Sequence, residues 1–266
     1  MASLDGIIHV HSTYSDGELT LAELRDTLRG DGYRFVCMAD HAEAFDPGKV
    51  ERYLAECAAL SDSEFFFVPG LEFECERRLH IVGYGCTRLA PSNNPEKVIA
   101  HIGSAGGLAV IAHPPDVHFA WLEHLGVRPY GLEVWNSKYD GRYAPRPSTF
   151  ELLRRWRTGA TPVRAFYGVD LHWRKQFRGL GCRVFEASPD RDGVLGALAS
   201  DRYAGVYGTL LLPPSGEVDP VWLAQAGRRN RRYSGFRRLV KGAKRLLDKA
   251  GLRVPPALKA EIRRWF

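Results

Sequence analysis

Six short stretches of the chain carry side chains of the types that can bind metal ions. His9-Val10-His11 is followed by Asp16 in Tyr14-Ser-Asp-Gly17. Asp40-His41 comes next, then Glu72 and Glu74 in Pro69-Gly-Leu-Glu-Phe-Glu74, then His80, His113 and Asp170-Leu-His172. Imidazoles and carboxylates without a thiolate suit zinc, manganese or iron rather than copper(I) or calcium. A single His-x-His pair is weak evidence, because it arises by chance on half-exposed strands. Asp-His alone is also a cap and turn, and one glutamate is an ordinary surface charge. The recurrence carries more weight. Polar groups sit where apolar segments stop, six times over, and burying that many without an ion to satisfy them is expensive. The pattern predicts a polynuclear metal site.

Such a site needs elements that bring distant residues together. Residues 6–10, 33–39, 65–71, 79–84, 108–112, 131–135 and 162–169 read as strands. Thr20-Leu-Ala-Glu23 has the form of a capping box opening a helix with Leu21, Leu24 and Leu28 on one face. Helices are also expected over 47–60, from Asn94-Pro95 to Gly103, and over 149–157. Near-continuous apolar strands alternating with helices predict an α/β fold with a parallel sheet buried on both faces. The number of units favours a closed or nearly closed barrel over an open sheet. Alternation along the first strand puts His9 and His11 on one side, and the strand ends share one mouth.

The chain has 266 residues, 45% hydrophobic and 26% charged, the balance of a folded globular protein. No run approaches the roughly 20 apolar residues of a spanning helix. Five scattered cysteines without a C-x-x-C pair argue against a disulfide framework and a cysteine zinc site, and for a reducing compartment. Without a signal segment at the start, the expected location is the cytoplasm, or the periphery of a membrane. Nucleophile-elbow, phosphate-loop and dinucleotide-binding motifs are all missing. The formal charge of +6 is unevenly spread. Residues 221–266 hold 14 Lys and Arg against Asp248 and Glu261, whereas residues 1–220 hold 23 basic and 29 acidic residues. Two units follow: a catalytic domain over 1–220 and a basic amphipathic tail over 221–266. In the tail, Phe236, Leu239, Val240, Ala243, Leu246, Leu247 and Ala250 recur at helical spacing before Pro255-Pro256, and a second short stripe runs over Leu258, Ile262, Trp265 and Phe266. Three roles fit: packing on the body, lying on an anionic membrane surface, or clamping a nucleic-acid backbone.

The motifs resemble those of the PHP (polymerase and histidinol phosphatase) superfamily of metal-dependent phosphoesterases. The matching residues are His9-x-His11 with Ser15-Asp16-Gly17, Ala39-Asp40-His41, Gly70-x-Glu72, His80-Ile-Val-Gly-Tyr84, Ala112-His113-Pro114 and Gly168-x-Asp170-x-His172. The resemblance implies a distorted (β/α)7 barrel of PHP type, extended here by the basic helical tail, with two or three divalent ions. It implies that His9, His11 and Asp170 hold one ion, that Glu72 bridges it to a second held by His80 and His113, and that Asp16, His41 and His172 hold a third. Some relatives have histidine where this chain has Asp16, which bears on metal preference. A water shared by two ions loses its proton near neutral pH, so the implied reaction is attack of a metal-bridging hydroxide on phosphorus. Glu72, Asp40 and Asp170 are the expected catalytic residues, Asp40 as an orienting partner of a ligand histidine. Asp40, Glu74 and Asp116 are the candidate general acids.

Specificity is expected from loops on the same face. Lys138, Arg142, Arg146, Arg174 and Lys175 are candidates to bind phosphate oxygens, and Trp135 or Trp173 to stack on a base or sugar. Residue by residue, solvated loop charge is an equally good account. His101, His118 and His124 are read as surface or packing histidines. The leading expectation is a phosphatase for a small-molecule phosphate monoester, with no obligate protein partner. The alternatives are a phosphodiesterase or exonuclease on nucleic acid and a non-catalytic binding module.

Overall fold

A computed structural model describes residues 3–141, 144–158, 162–177 and 179–249. In chain order the elements are β1 (Leu4–Val10), α1 (Leu21–Gly30), β2 (Phe35–Met38), β3 (Asp40–His41), α2 (Pro47–Ala59), β4 (Phe66–Val68), β5 (Gly70–Cys75), β6 (Leu79–Tyr84), α3 (Pro95–Ser104) and β7 (Leu108–Ala112). They continue with α4 (Phe119–Leu122), β8 (Gly131–Asn136), α5 (Pro147–Trp156), β9 (Arg164–Gly168), β10 (Leu180–Val184), α6 (Arg191–Ala199), β11 (Tyr203–Tyr207), β12 (Leu210–Leu212) and α7 (Pro220–Lys249).

Local chemistry explains the helix starts. Thr20 accepts from Glu23 N while the Glu23 carboxylate reaches back to Thr20 N, the reciprocal capping box. Leu21, Leu24 and Leu28 are fully buried, each adding about 1.5–3 kcal/mol of hydrophobic stabilisation. Asp46 and Asn94 cap α2 and α3, each followed by a proline at the first helical position, where its missing N–H costs nothing.

The strands form two six-stranded sheets, in the orders β12-β11-β10-β1-β2-β4 and β3-β5-β6-β7-β8-β9. The expected all-parallel arrangement is corrected here. β1, β2 and β4 are parallel, as are β7, β8 and β9, but β6 runs antiparallel to both β5 and β7. β10, β11 and β12 form an antiparallel meander beside β1. The sheets are joined along the chain, since Ala39 alone separates β2 from β3 and Pro69 alone separates β4 from β5. They also meet where the segment after β9 bonds to β1: Val169 N donates to Ile8 O (3.1 Å), Leu171 N to His9 O (3.1 Å) and His11 N to Leu171 O (2.9 Å). Most strand positions are buried and their apolar side chains divide among three clusters, so the site rests on tightly packed supports.

The basic tail begins as α7, one continuous helix over its described length. Its first turns dock on the body through Trp222, Leu223 and Ala226. Beyond them, Leu239 and Leu246 stand in solvent rather than packing on the body. The second tail stripe lies outside the described residues. No described helix is long and apolar enough to cross a membrane.

Candidate metal centre

Nine side chains converge from both sheets. His9 and His11 come from the end of β1, Asp16 from the loop after it, and His41 from β3. Glu72 lies on β5, His80 on β6, His113 just past β7, and Asp170 and His172 just past β9. The antiparallel course of β6 is what delivers His80. Its register sets His80 opposite Ala112 on one side and Glu74 on the other, beside His113 rather than at the far end of the sheet.

Glu72 is the hub. Its Oε1 lies 3.2 Å from His80 Nδ1, 3.2 Å from His113 Nε2 and 3.3 Å from His9 Nε2. Its Oε2 lies 3.4 Å from His41 Nδ1 and 3.5 Å from His11 Nε2. Asp170 is a second centre, with Oδ1 3.1 Å from His172 Nδ1 and 3.3 Å from His11 Nε2. Asp16 Oδ2 stands 3.2 Å from His172 Nε2, and its Oδ1 3.7 Å from His41 Nε2. Ligand atoms about 2.1 Å from one tetrahedral ion stand about 3.4 Å apart, so these spacings suit shared ions. Four groupings are close enough to hold one: His11, Asp16, His41 and His172; His9, His113 and Asp170; His9, His11 and Glu72; and His41, Glu72 and His80. Asp16, His41 and His172 keep company as the resemblance implies, whereas His113 groups with His9 and Asp170, and His80 with His41.

Hydrogen bonding leaves room for such ions. His9 Nε2, both ring nitrogens of His11 and Asp170 Oδ1 are buried with no aligned hydrogen-bond partner. An orphaned buried polar atom costs about 1–3 kcal/mol, and divalent ions would satisfy His9 Nε2, one ring nitrogen of His11 and Asp170 Oδ1, the other His11 nitrogen carrying its proton. All five cysteines are free and buried, and none joins the cluster. The donor set therefore fits a divalent ion bound by nitrogen and oxygen. Charge is already arranged for one. Although burial opposes ionisation, the surrounding imidazoles, His9 foremost, hold the Glu72 and Asp170 carboxyls well below their usual range. Burial pulls His9 down, but Glu133, Glu72 and Asp170 outweigh it and hold the imidazole well above its ordinary value. Burial lowers His11.

The backbone is strained where it presents these ligands. His9 (φ 66°), His113 (φ 30°) and Asp170 (φ 53°) all occupy the left-handed region, at about 1–3 kcal/mol each. His9 sits where the β1–β2 register shifts between Ile8 and Val10, so strand alternation alone does not set its direction. Glu133, fully buried on β8, over-determines the arrangement. Its Oε1 bonds His9 Nδ1 at 2.7 Å, and its Oε2 accepts from His113 N and Asn136 Nδ2, both at 3.0 Å. With Nδ1 held by Glu133, Nε2 faces the cluster and is the nitrogen that would give up its proton to take an ion. Gly168 makes this possible, because a Cβ there would collide with Glu133 Oε1. Sequence reasoning missed Glu133. The available sign was a carboxylate inside the apolar run Gly131-Leu-Glu-Val-Trp135, a position that a charge occupies only when paired.

The remaining expected site residues divide. Lys138 joins the centre, its Nζ 3.1 Å from Asp170 Oδ2 and 3.2 Å from His172 Nδ1. The neighbouring Tyr139, missed as a site residue, stacks on His113 with ring centroids 4.3 Å apart. Asp40 does not orient a histidine, which corrects the expected role. It is buried and accepts from Ser12 N (2.8 Å), Ser12 Oγ (2.8 Å) and Ser15 Oγ (2.7 Å), fixing the loop that carries Asp16. Trp135 is fully buried with Nε1 donating to Gly141 O, so it cannot stack on a substrate in the mouth. Arg146 is spent on Asp140 (2.5 Å), Asp116 (2.6 Å) and Pro114 O (2.6 Å), which removes it as a free phosphate ligand and ties up Asp116 as well. Arg174 lines a hollow beside α1 with Leu24, Thr27 and Leu28, none of them a candidate ligand. Lys175 is exposed, its Nζ 5.9 Å from the Trp173 ring. Arg142 lies outside the described residues. His101 Nε2 donates to Arg88 O at 2.9 Å, and neither His101 nor His118 or His124 joins a ligand group.

No family model matches the chain, and no curated protein matches it. Solved structures do. The chain is similar to a two-domain protein from Bacteroides vulgatus ATCC 8482 containing a predicted PHP-like metal-dependent phosphoesterase, at 15% identity, 86% coverage of this chain, 70% of that one and a TM-score of 0.56. It is also similar to PsfC from Pseudomonas syringae PB-5123, at 14% identity, 87% and 99% coverage and a TM-score of 0.54. These likenesses show a shared fold, and the fold is one found among PHP-like proteins, as the resemblance of the motifs implies.

Proposed function

We propose that this protein is a metal-dependent hydrolase of phosphate esters, acting on a small-molecule phosphate monoester. The observation that carries the reading is the convergence of six imidazoles and three carboxylates, with buried donor atoms left unpartnered, at one end of the strands. The structural likeness to a PHP-like protein supports it. So does the strand arrangement, read as a distorted seven-membered ring of β1, β2-β3, β4-β5, β6, β7, β8 and β9 that the bonds between residues 169–171 and β1 draw together.

His9, His11, Asp170, Glu72, His80 and His113 are the residues to hold two ions, and Asp16, His41 and His172 those to hold a third, with zinc, manganese or iron as the candidates. Bound there, divalent ions supply an acidified water as nucleophile and positive charge against the phosphate oxygens. The protein's own groups prepare that chemistry. Glu133 keeps the proton of His9 on Nδ1. Lys138 places an ammonium beside Asp170, within reach of a phosphate oxygen entering the mouth. Tyr139 covers His113 and limits water on that side. Asp40 is a positioning residue for the Asp16 loop.

The test is phosphate release from a monophosphate panel beside cleavage of single-stranded DNA, with wild type, Glu72→Ala and His113→Ala. Turnover of a monophosphate that both substitutions abolish supports the proposal. Full turnover in either variant with metal still bound overturns the residue assignments. DNA cleavage without monophosphate turnover replaces the proposal with a nuclease.

A further inference from the structure

The exposed stripe of α7 lies apart from the metal centre and has its own chemistry. The helix docks on the body with one side of its first turns: Trp222 and Leu223 pack on the core, Ala226 is buried, and Asn230 Nδ2 donates to Asp140 O at 2.9 Å. At 3.6 residues per turn, Arg228, Arg232, Leu239, Ala243 and Leu246 fall within about 60° of one another and on the side away from those docking residues. All five are exposed, Leu239 at 74% and Leu246 at 69% of their full surface. Two leucines held in water on the outer face of a helix call for a partner, and the surrounding charge identifies it. Between Pro220 and Lys249 the helix has ten Lys and Arg and one acidic residue, Asp248.

We infer that this outer stripe is a membrane-docking face, which sets Leu239 and Leu246 into the apolar edge of an anionic lipid surface while the arginines meet its headgroups. A helix with low overall hydropathy, an apolar stripe and a cationic remainder lies in the plane of such an interface. Long basic side chains reach headgroups while their stems stay in apolar surroundings. The competing occupants fit less well. A nucleic-acid backbone would engage the cations but leave both leucines in water. A second copy of the chain would set ten cations against ten.

Cosedimentation of the full chain with phosphatidylcholine vesicles, with and without phosphatidylserine, tests the inference. The wild type is expected to sediment with the phosphatidylserine vesicles, not with the neutral ones, and to be released as salt rises. Leu239→Gln with Leu246→Gln keeps the charge and is expected to weaken vesicle binding at least tenfold. Arg228→Gln with Arg232→Gln is expected to remove the preference for anionic lipid by a similar factor. Both pairs are exposed, so metal content and melting temperature should match wild type, and either pair alone decides the question if the other misfolds. Equal binding to neutral vesicles, no vesicle binding, or full binding by the leucine variant overturns the inference. Duplex DNA bound more tightly than vesicles, without loss in the leucine variant, assigns the surface to nucleic acid instead.

Discussion

Replacing Glu133 by glutamine changes one atom of a buried side chain and should weaken a metal site that Glu133 supports without being one of its candidate ligands. The carboxylate accepts three hydrogen bonds, from His9 Nδ1 on one oxygen and from His113 N and Asn136 Nδ2 on the other. An amide cannot accept in both directions. With its NH2 toward His113 and Asn136, three donors face one another. With its NH2 toward His9, Nδ1 must become an acceptor, and the ring proton moves to Nε2, the atom that faces the cluster. Either way the substitution forfeits at least one charge-assisted bond, about 1.5–3 kcal/mol. Loss of such an outer partner lowers metal affinity by about 10–100-fold, or about 1.4–2.7 kcal/mol. Titration of Glu133→Gln against a competing chelator, with metal counted by elemental analysis, reads the affinity. Nitrogen-15 chemical shifts read the tautomer of His9, which general loosening of the fold would not move. Wild-type affinity together with an unchanged His9 tautomer would refute the reasoning.

Three other substitutions probe the supports. Gly168→Ala drives a Cβ into Glu133 Oε1, so it should cost about 1–3 kcal/mol in denaturant unfolding and lower metal affinity as Glu133→Gln does. Asp40→Ala strips the acceptor from Ser12 N, Ser12 Oγ and Ser15 Oγ. At about 1 kcal/mol each, it should destabilise by about 3 kcal/mol and release the ion nearest Asp16 before the others, which a chelator titration with elemental counting detects. Asp140 tests the pH dependence. Burial pushes its carboxyl up from 3.8 to about 6 despite Arg146, so the folded state binds this proton more tightly than the unfolded one. Its contribution to stability therefore falls as pH rises from about 4 to about 6 and is level above that, a change of about 3 kcal/mol. Asp140→Asn has no proton to bind, so the stability difference between it and wild type should follow that curve in metal-free protein.

Features governed by nearby residues were legible in the sequence. The Thr20 capping box, the leucine face of α1 and the proline starts of α2 and α3 depend on contacts within a turn or two, and they stand as expected. The residues that cluster were legible too, because most of them sit at or just past one end of an apolar strand, with Glu72 inside β5 and Asp16 in the loop after β1 as the exceptions. Strand direction was not. An apolar run such as 79–84 reads the same whichever way it pairs, and its antiparallel course is set by neighbours distant in the chain. The meander of β10, β11 and β12 escaped for the same reason. Side-chain availability was equally hidden. Arg146 and Trp135 look like binding residues until Asp116, Asp140, Gly141 and the packing around them are in place. Glu133 was concealed by its apolar neighbours, although it governs His9 from 124 positions away.

The cage itself is tested most directly by counting metal. Protein purified without chelator, or reconstituted with zinc, manganese or iron, is predicted to carry two or three divalent ions per chain by elemental analysis, and fewer after Glu72→Ala. A chain that stays metal-free under all of these conditions, while folded, would contradict the account.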